Sequence, residues 1–380
     1  MSLNDDSVSV GKSHMELPVV NVFGSHYNMG LQYGKVAETM IRTNVDYYAK
    51  RFNAAKGLSK SEVIEKGKEF GKVIHEYNGK IGSMLDGIAD AISLPRPLIY
   101  ALNARTEIMY GYQHEDDGCT SATIMPGATK KGNIILGQNW DWHAELRDNS
   151  VLLHSLDDDG HEILTLAEAG MVAKTGMNSK GIGICTNLIV CDEAPRQLGV
   201  PHHVLLRGAL ESVNFDEALR SITSPGRSSS ANFMLADAGG EAIDIEITPN
   251  NFGYLLPQDY LLIHSNHFIS GVEVNDVRKG ISKLTLVRPE RVRHILEDKR
   301  NARQVTVEDF QAAFRDHFSY PSGVCRHPVP GEEESENSET LFSIIMDLAE
   351  RVLSIAKGPP CEHDYIAFEL KCRQKLEQKM

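Results

Sequence analysis

Chemistry is best supported where a helical texture gives way to a β-rich one, at Asp116-Asp117-Gly118-Cys119-Thr120-Ser121. Gly118 leaves its own carbonyl unhindered and tolerates unusual dihedrals. A cysteine placed directly after such a residue can attack that carbonyl and shift the acyl group from nitrogen to sulfur. Hydrolysis of the thioester would then leave a new chain beginning at Cys119. Its α-amine, with a reference pKa of about 7.7–8.0, is close enough to neutrality to act as a base for its own thiol. Read alone, Gly118 to Ser121 is more often a turn-to-strand junction with an inert cysteine.

The other reactive residue types point to less. His202-His203 diverge on either a helix or a strand, and His264 with His267 lacks a carboxylate motif, so no metal site is expected. Arg227-Ser228-Ser229-Ser230 lacks the glycines of a phosphate loop, and Gly181-Ile182-Gly183 is too little for a dinucleotide fingerprint. None of the six cysteines, Cys119, Cys185, Cys191, Cys325, Cys361 and Cys372, forms a C-x-x-C pair, and all but Cys119 read as small buried apolar residues.

Composition narrows the partners. The chain has 380 residues and a net charge of −13, with no sustained basic stretch, so nucleic acid is not an expected partner. A negatively charged substrate would need a local basic patch against the field of the whole protein. Apolar runs are too short and interrupted to span a bilayer, and the polar start, Met1 to Gly11, does not read as a secretory signal. The expected location is the cytoplasm, with the peroxisome as alternative given the Lys379-Met380 ending.

The elements that must position Cys119 divide at the same point. From Tyr27 to Tyr112 the pattern is helical, with Tyr33, Val36, Met40, Val45 and Tyr48 on one face. Ser59 and Glu62 form a capping-box signature for a second helix, a third carries Ile81, Leu85, Ile88 and Ile92, and Pro95 and Pro97 open a fourth that carries Leu98 through Ile108. Beyond Asp117, strands are predicted from Thr120 to Met125, Asn133 to Trp142, Ser150 to Leu156 and Glu162 to Ala167, followed by a hairpin around Asn178 to Gly181. Helices follow near His203–Leu210 and Asp216–Ile222, then strands at Ala231–Ala236, Ala242–Ile247 and Tyr260–His264. Two more helices, near Arg288–Leu296 and Thr306–Phe314, precede closing strands at Leu341–Leu348, Arg351–Ala356 and Tyr365–Leu370. Gly331 to Glu339 reads as an acidic solvated loop. Length alone suggests two or three domains, but the grouping of strands with helices outside them fits one layered α+β fold.

Several blocks together resemble the acyl-coenzyme A:6-aminopenicillanic acid acyltransferase (isopenicillin N acyltransferase) family of N-terminal nucleophile (Ntn) hydrolases. They are Gly24 to Gly30, Leu102-Asn103-Ala104-Arg105-Thr106-Glu107, Asp117 to Ser121, Gly137-Gln138-Asn139-Trp140-Asp141 and Glu168-Ala169-Gly170 leading to Gly176-Met177-Asn178. Ser230-Ala231-Asn232, His264-Ser265-Asn266-His267 and Val324-Cys325-Arg326 follow in the same order. The resemblance implies a four-layer αββα sandwich and self-cleavage between Gly118 and Cys119. Residues 1–118 would become a helical chain retained in the same globule, and residues 119–380 the β-rich catalytic chain.

Residue by residue, the resemblance makes Cys119 the nucleophile and Asp141 the partner of the released amine. Asn266 becomes the oxyanion donor, and Arg326 a cation that lowers the thiol pKa. Thr120, Ser121 and Ser230 are supporting candidates. Without the family pattern, Asp141 reads as a strand-end residue, Asn266 as a turn asparagine and Arg326 as a structural ion pair. The implied activity is transfer of an acyl group from an acyl-coenzyme A thioester or an amide to a small amine. Hydrolysis of N-acylated amines and a non-catalytic binding protein are the competing readings. No cofactor is expected; acyl-coenzyme A would enter only as a co-substrate. Asn232 departs from an apolar residue in the penicillin-making members, so the penicillin substrate does not carry over.

Overall fold

The computed structural model describes residues 17–110, 118–279, 283–331 and 337–370. Strand β1 (Val19–Phe23) precedes helices α1 (His26–Lys56), α2 (Lys60–Tyr77), α3 (Gly79–Ala91), α4 (Arg96–Asn103) and α5 (Arg105–Met109). Strands β2 (Cys119–Ile124), β3 (Ile135–His143), β4 (Ser150–Leu156), β5 (Glu162–Glu168), β6 (Thr175–Asn178) and β7 (Ile182–Asn187) follow. After α6 (His202–Glu211) and α7 (Phe215–Thr223) come β8 (Ala231–Asp237), β9 (Ala242–Ile247), β10 (Phe252–Leu255) and β11 (Leu261–His264). Helices α8 (Arg288–Asn301) and α9 (Val307–Phe314) lead to β12 (Ser338–Asp347), β13 (Val352–Lys357) and β14 (Ile366–Glu369).

The strands form two sheets. One runs β1-β4-β5-β6-β7-β8-β9-β10 and the other β11-β2-β3-β12-β13-β14. Helices α1, α3 and α6 pack on the first sheet's side of the molecule, β2 and β3 meet β7 across the sheet interface, and α8 and α9 cover the second sheet. The order of layers is therefore αββα. Alternation along the strands assigns the two cores. Leu136, Trp140, Phe342 and Ile344 join the large core shared by the two sheets and the first helices, whereas Ile135, Ala122, Ile124 and Ile345 join a smaller core with Phe310 and Phe314 of α9.

Several local expectations hold. Ser59 accepts from the Glu62 backbone while the Glu62 carboxylate accepts from the Ser59 N–H at 2.8 Å, so the capping box opens α2. Helices α1 and α3 approach closely because Gly30 faces Met84; a Cβ at Gly30 would lie 2.0 Å from the Met84 carbonyl oxygen.

Three expectations change. Strand β1, ahead of the helical run that begins near Tyr27, is not among the expected strands, and it pairs in parallel with β4. The fourth predicted helix breaks at Ala104, where φ −102 and ψ 20 separate α4 from α5. The end of the acidic stretch is no solvated loop: Ser338 and Glu339 begin β12 and are buried, with Glu339 paired to Arg147 at 2.8 Å. Residues 332–336 of that stretch, Asp116-Asp117 and Cys372 lie outside the described residues. No helix among the described residues is long and apolar enough to cross a membrane.

Candidate active site

Cys119 opens β2 opposite Trp140 of β3, and the peptide on its N-terminal side is held from both strands and loops. The Gly118 carbonyl oxygen accepts from the Asp141 N–H at 2.9 Å. The Cys119 N–H donates to Asn266 Oδ1 at 2.8 Å. The Cys119 carbonyl accepts from Arg288 Nη1 at 2.9 Å and from the Ser265 hydroxyl at 3.2 Å. A Cβ on Gly118 would sit 2.8 Å from Asp141 Oδ2 and 3.0 Å from Arg288 Nη1, so a larger residue there would push on both side chains.

Asp141 is buried at the end of β3. Its Oδ1 accepts from the Thr340 hydroxyl at 2.7 Å, and its Oδ2 lies 3.7 Å from Arg288 Nη1. The β3–β12 register slips between Thr340 and Phe342, placing a bulge beside this carboxylate. Such an irregularity re-aims the side chain next to it.

Asn266 is oriented by its neighbours. Arg288 Nη2 donates to its Oδ1 at 2.8 Å, which together with the Cys119 N–H fixes that atom as oxygen. Its Nδ2 donates to the Leu188 carbonyl at 2.8 Å. Asn266 therefore supports the Gly118–Cys119 peptide as an acceptor. Donation to a substrate oxygen requires Nδ2 to exchange Leu188 for that oxygen.

Lys174 and Arg288 are the cations that lower the thiol most. Burial pushes the Cys119 thiol up to about 11; Lys174 pulls it down, the Asp141 carboxylate raises it further, and the Asp141 N–H and Arg288 oppose the rise. Arg326 is placed otherwise. Its guanidinium donates to the Ser338 hydroxyl at 2.6 Å, and its backbone N–H donates to Thr340 Oγ1 at 2.9 Å. It thus reaches the site through Thr340, the residue that holds Asp141.

The supporting hydroxyls separate likewise. Thr120 Oγ1 accepts from Arg288 Nη1 at 3.2 Å, beside the Gly118–Cys119 peptide. Ser121 donates to Asn187 Oδ1 at 2.6 Å and bridges the two sheets. Ser230 donates to the Ile189 carbonyl at 2.8 Å, accepts from the Cys191 N–H and meets the Tyr110 hydroxyl at 3.1 Å, which makes it a brace for a wall residue. The two histidine pairs are structural. His264 is ion-paired with Glu246 at 2.8 Å, and burial keeps His202 and His203 far below the usual imidazole range.

Cys119 faces a narrow cleft, with a cavity volume of about 60 Å³, lined in part by Trp140, Trp142, Lys174, Arg105 and Arg278, and by no carboxylate among the described residues. Lys174 Nζ sits 4.0 Å from the Trp140 ring centroid, and the Arg105 guanidinium 4.5 Å from that of Trp142. The helical segment builds this wall. Arg105 pairs with the buried Glu168 at 2.7 Å, and Asn103 donates to the Gly170 carbonyl and accepts from the Val172 N–H.

Sequence reading missed Arg288 and Lys174. Lys174 carried no local signal. Arg288 did carry one: it is a buried cation at a helix N-terminus, where the macrodipole disfavours positive charge, so its presence there needs another reason.

Known proteins resemble this chain over most of its length. A protein 26% identical over 90% of this chain and 92% of its own length is the acyl-coenzyme A:6-aminopenicillanic-acid-acyltransferase 40 kDa form of Emericella nidulans. Among solved structures, a mutant of the conjugated bile acid hydrolase from Clostridium perfringens is similar at 13% identity and a TM-score of 0.47, covering 66% of this chain and 92% of that one. Penicillin V acylase from Agrobacterium tumefaciens is similar at 14% identity and a TM-score of 0.38, covering 63% and 83%. The family model described as acyl-coenzyme A:6-aminopenicillanic acid acyl-transferase matches residues 128–361, well over half of the chain and all of the β-rich body from just beyond Cys119 to the β13–β14 loop, so the chain belongs to that family.

Proposed function

We propose that this enzyme of the acyltransferase and amidohydrolase kind cleaves itself between Gly118 and Cys119, then transfers acyl groups through a Cys119 thioester to a small amine. The observation that carries this reading is the clamped Gly118–Cys119 peptide. Its carbonyl oxygen faces the Asp141 N–H and its N–H faces Asn266, at the edge of a cleft. In maturation the thiol gives up its proton and Sγ bonds to the Gly118 carbonyl carbon. The Asp141 N–H takes the developing oxyanion, the C–N bond breaks, and the Cys119 nitrogen gains the proton. Water then splits the thioester, leaving a Gly118 carboxylate and a free Cys119.

In turnover the Cys119 α-amine accepts the thiol proton, and Sγ attacks the acyl carbonyl of an acyl-coenzyme A or amide. The leaving group takes the proton, and an amine attacks the acyl-enzyme to regenerate the thiol. Asn266 Nδ2 serves the oxyanion. Lys174, Arg105 and Arg278 support a donor or acceptor bearing negative charge in a protein whose net charge is −13. The segment ending at Gly118 stays bound as one chain of a heterodimer with residues 119–380; the β1–β4 pairing and the Arg105–Glu168 pair support its retention.

Intact-mass spectrometry tests the reading. Wild type should give a chain ending at Gly118 and one beginning at Cys119, and acyl-coenzyme A should add one acyl group to the latter. A single uncut chain, unchanged by Cys119→Ala, would overturn self-processing and favour a binding protein. Amide cleavage with no transfer to any supplied amine would assign the hydrolase instead.

A further inference from the structure

Away from the cleft, His317, Cys325, His327 and Cys361 place one ligand atom each within 4.8 Å of one another. Cys325 Sγ and Cys361 Sγ are 3.6 Å apart, His327 Nε2 lies 3.6 Å from the first and 3.2 Å from the second, and the two Nε2 atoms are 3.1 Å apart. A tetrahedral zinc with bonds of about 2.3 Å to sulfur and about 2.0 Å to nitrogen separates its ligands by roughly 3.8 Å (S to S), 3.6 Å (S to N) and 3.3 Å (N to N). These four separations reproduce this pattern to within about 0.4 Å, and a His317 ring nitrogen lies within 4.8 Å of both sulfurs. We infer that the chain binds one zinc ion in a closed Cys₂His₂ site made by Cys325, Cys361, His317 and His327.

Three further features fit. The donor set of two sulfurs and two imidazoles selects zinc over oxygen-seeking calcium or magnesium. His327 Nδ1 lies 3.4 Å from Glu362 Oε1, the carboxylate partner that orients a metal-bound imidazole. Charge also balances: Zn²⁺ displaces the two thiol protons to solvent, so two thiolates and two neutral imidazoles leave a site of zero net charge. That suits a position where Cys325 and His327 are buried, while the exposed His317 and Cys361 give the ion a way in.

The ligands come from two loops. Residues 317–327 fold on themselves through Tyr320 N–H to His317 O, His327 N–H to Pro321 O and Cys325 N–H to Asp316 O, which gathers three of the four. Cys361 arrives from the β13–β14 loop, held by Arg315 Nε donating to the Pro360 carbonyl at 2.7 Å. The 317–327 loop also carries Val324, whose carbonyl accepts from Asn139 of β3, and Arg326, whose N–H reaches Thr340 beside Asp141. The zinc would staple the loop that braces the floor of the cleft, a structural role independent of the acyl-transfer reading. The sequence-based expectation of no metal weighed His202-His203, His264 with His267 and the absence of a C-x-x-C pair; these four ligands share no such spacing.

Metal analysis of the full chain purified without chelator should find one zinc per chain, in wild type and in Cys119→Ala alike. After removal of zinc, added Co²⁺ should produce thiolate-to-cobalt charge-transfer bands that saturate at one equivalent. His317→Gln and Cys361→Ser, both at exposed positions, should lose stoichiometric zinc and the cobalt bands while still melting cooperatively; His294→Gln, exposed on α8, should keep both. Metal-free protein with no cobalt bands and both thiols open to alkylation would overturn the site. So would a mass showing a Cys325–Cys361 cross-link, or zinc that stays stoichiometric in both ligand variants.

Discussion

Cys119 and Cys325 are both buried thiols raised by desolvation, yet their surroundings differ in kind. Cys119 starts a strand, follows a glycine, opens onto a cleft and feels two cations, Lys174 and Arg288. Cys325 sits in a closed loop against a second thiol and two imidazoles. Cations beside a thiol stabilise a thiolate that can attack a carbonyl; lone pairs converging on one point suit a metal that consumes the thiolate. The residue type is the same, and its neighbours decide whether sulfur is a nucleophile or a ligand.

The contrast is most exposed at the nucleophile. Cys119→Ala should abolish cleavage, leaving one 42.1 kDa band on a gel, and lower turnover by roughly 10⁴-fold or more. Cys361→Ser should instead leave both fragments visible. Equal loss in the two variants would break the distinction.

Next comes Arg288, which touches Cys119, Thr120 and Asn266 and lies near Asp141. Arg288→Met strands a buried carboxylate and should cost about 3–5 kcal/mol in denaturant unfolding. Arg288→Lys should recover part of that stability, and more of it than of the cleavage rate, because one ammonium cannot reproduce the fork. Full recovery of both would mean that charge alone matters.

Gly118→Ala should slow cleavage about 100-fold in a timed gel, since the new Cβ pushes on Asp141 and Arg288 and displaces the clamped peptide. Unchanged cleavage would show that the clamp is not the reactive geometry.

The pH dependence gives the finest test. With the Cys119 thiol raised to about 11, the thiolate fraction grows about tenfold per pH unit below that value. Self-cleavage initiated in the uncut chain should accelerate from about pH 7 towards about pH 10. Lys174→Met removes a charge that lowers the thiol pKa, so the rising limb should move to higher pH and the rate at neutral pH should fall roughly tenfold. A shift to lower pH would contradict the assignment of Lys174 as a cation acting on Cys119.

Much of this was legible because it is local. The capping box at Ser59 and Glu62, the prolines before α4 and the alternation in β12 each act within a few residues. β1 escaped notice because a five-residue parallel edge strand is stabilised by β4, more than a hundred residues away. The break at Ala104 escaped because the apolar spacing continues smoothly from α4 into α5, while Asn103 and Arg105 turn to the Gly170 loop and Glu168.

The sequence by itself determined the layered α+β class and the change of texture at Gly118–Cys119, because helix period and strand alternation are properties of neighbouring residues, while the candidate nucleophile rested on the family resemblance of several ordered blocks. Only the tertiary structure decided which cations serve that thiol, that Arg326 acts through Thr340 while Arg288 holds the peptide, and that four scattered histidines and cysteines converge. Those facts depend on sheet register and loop closure. Both are fixed by packing between segments far apart in the chain, and no spacing along the chain records them.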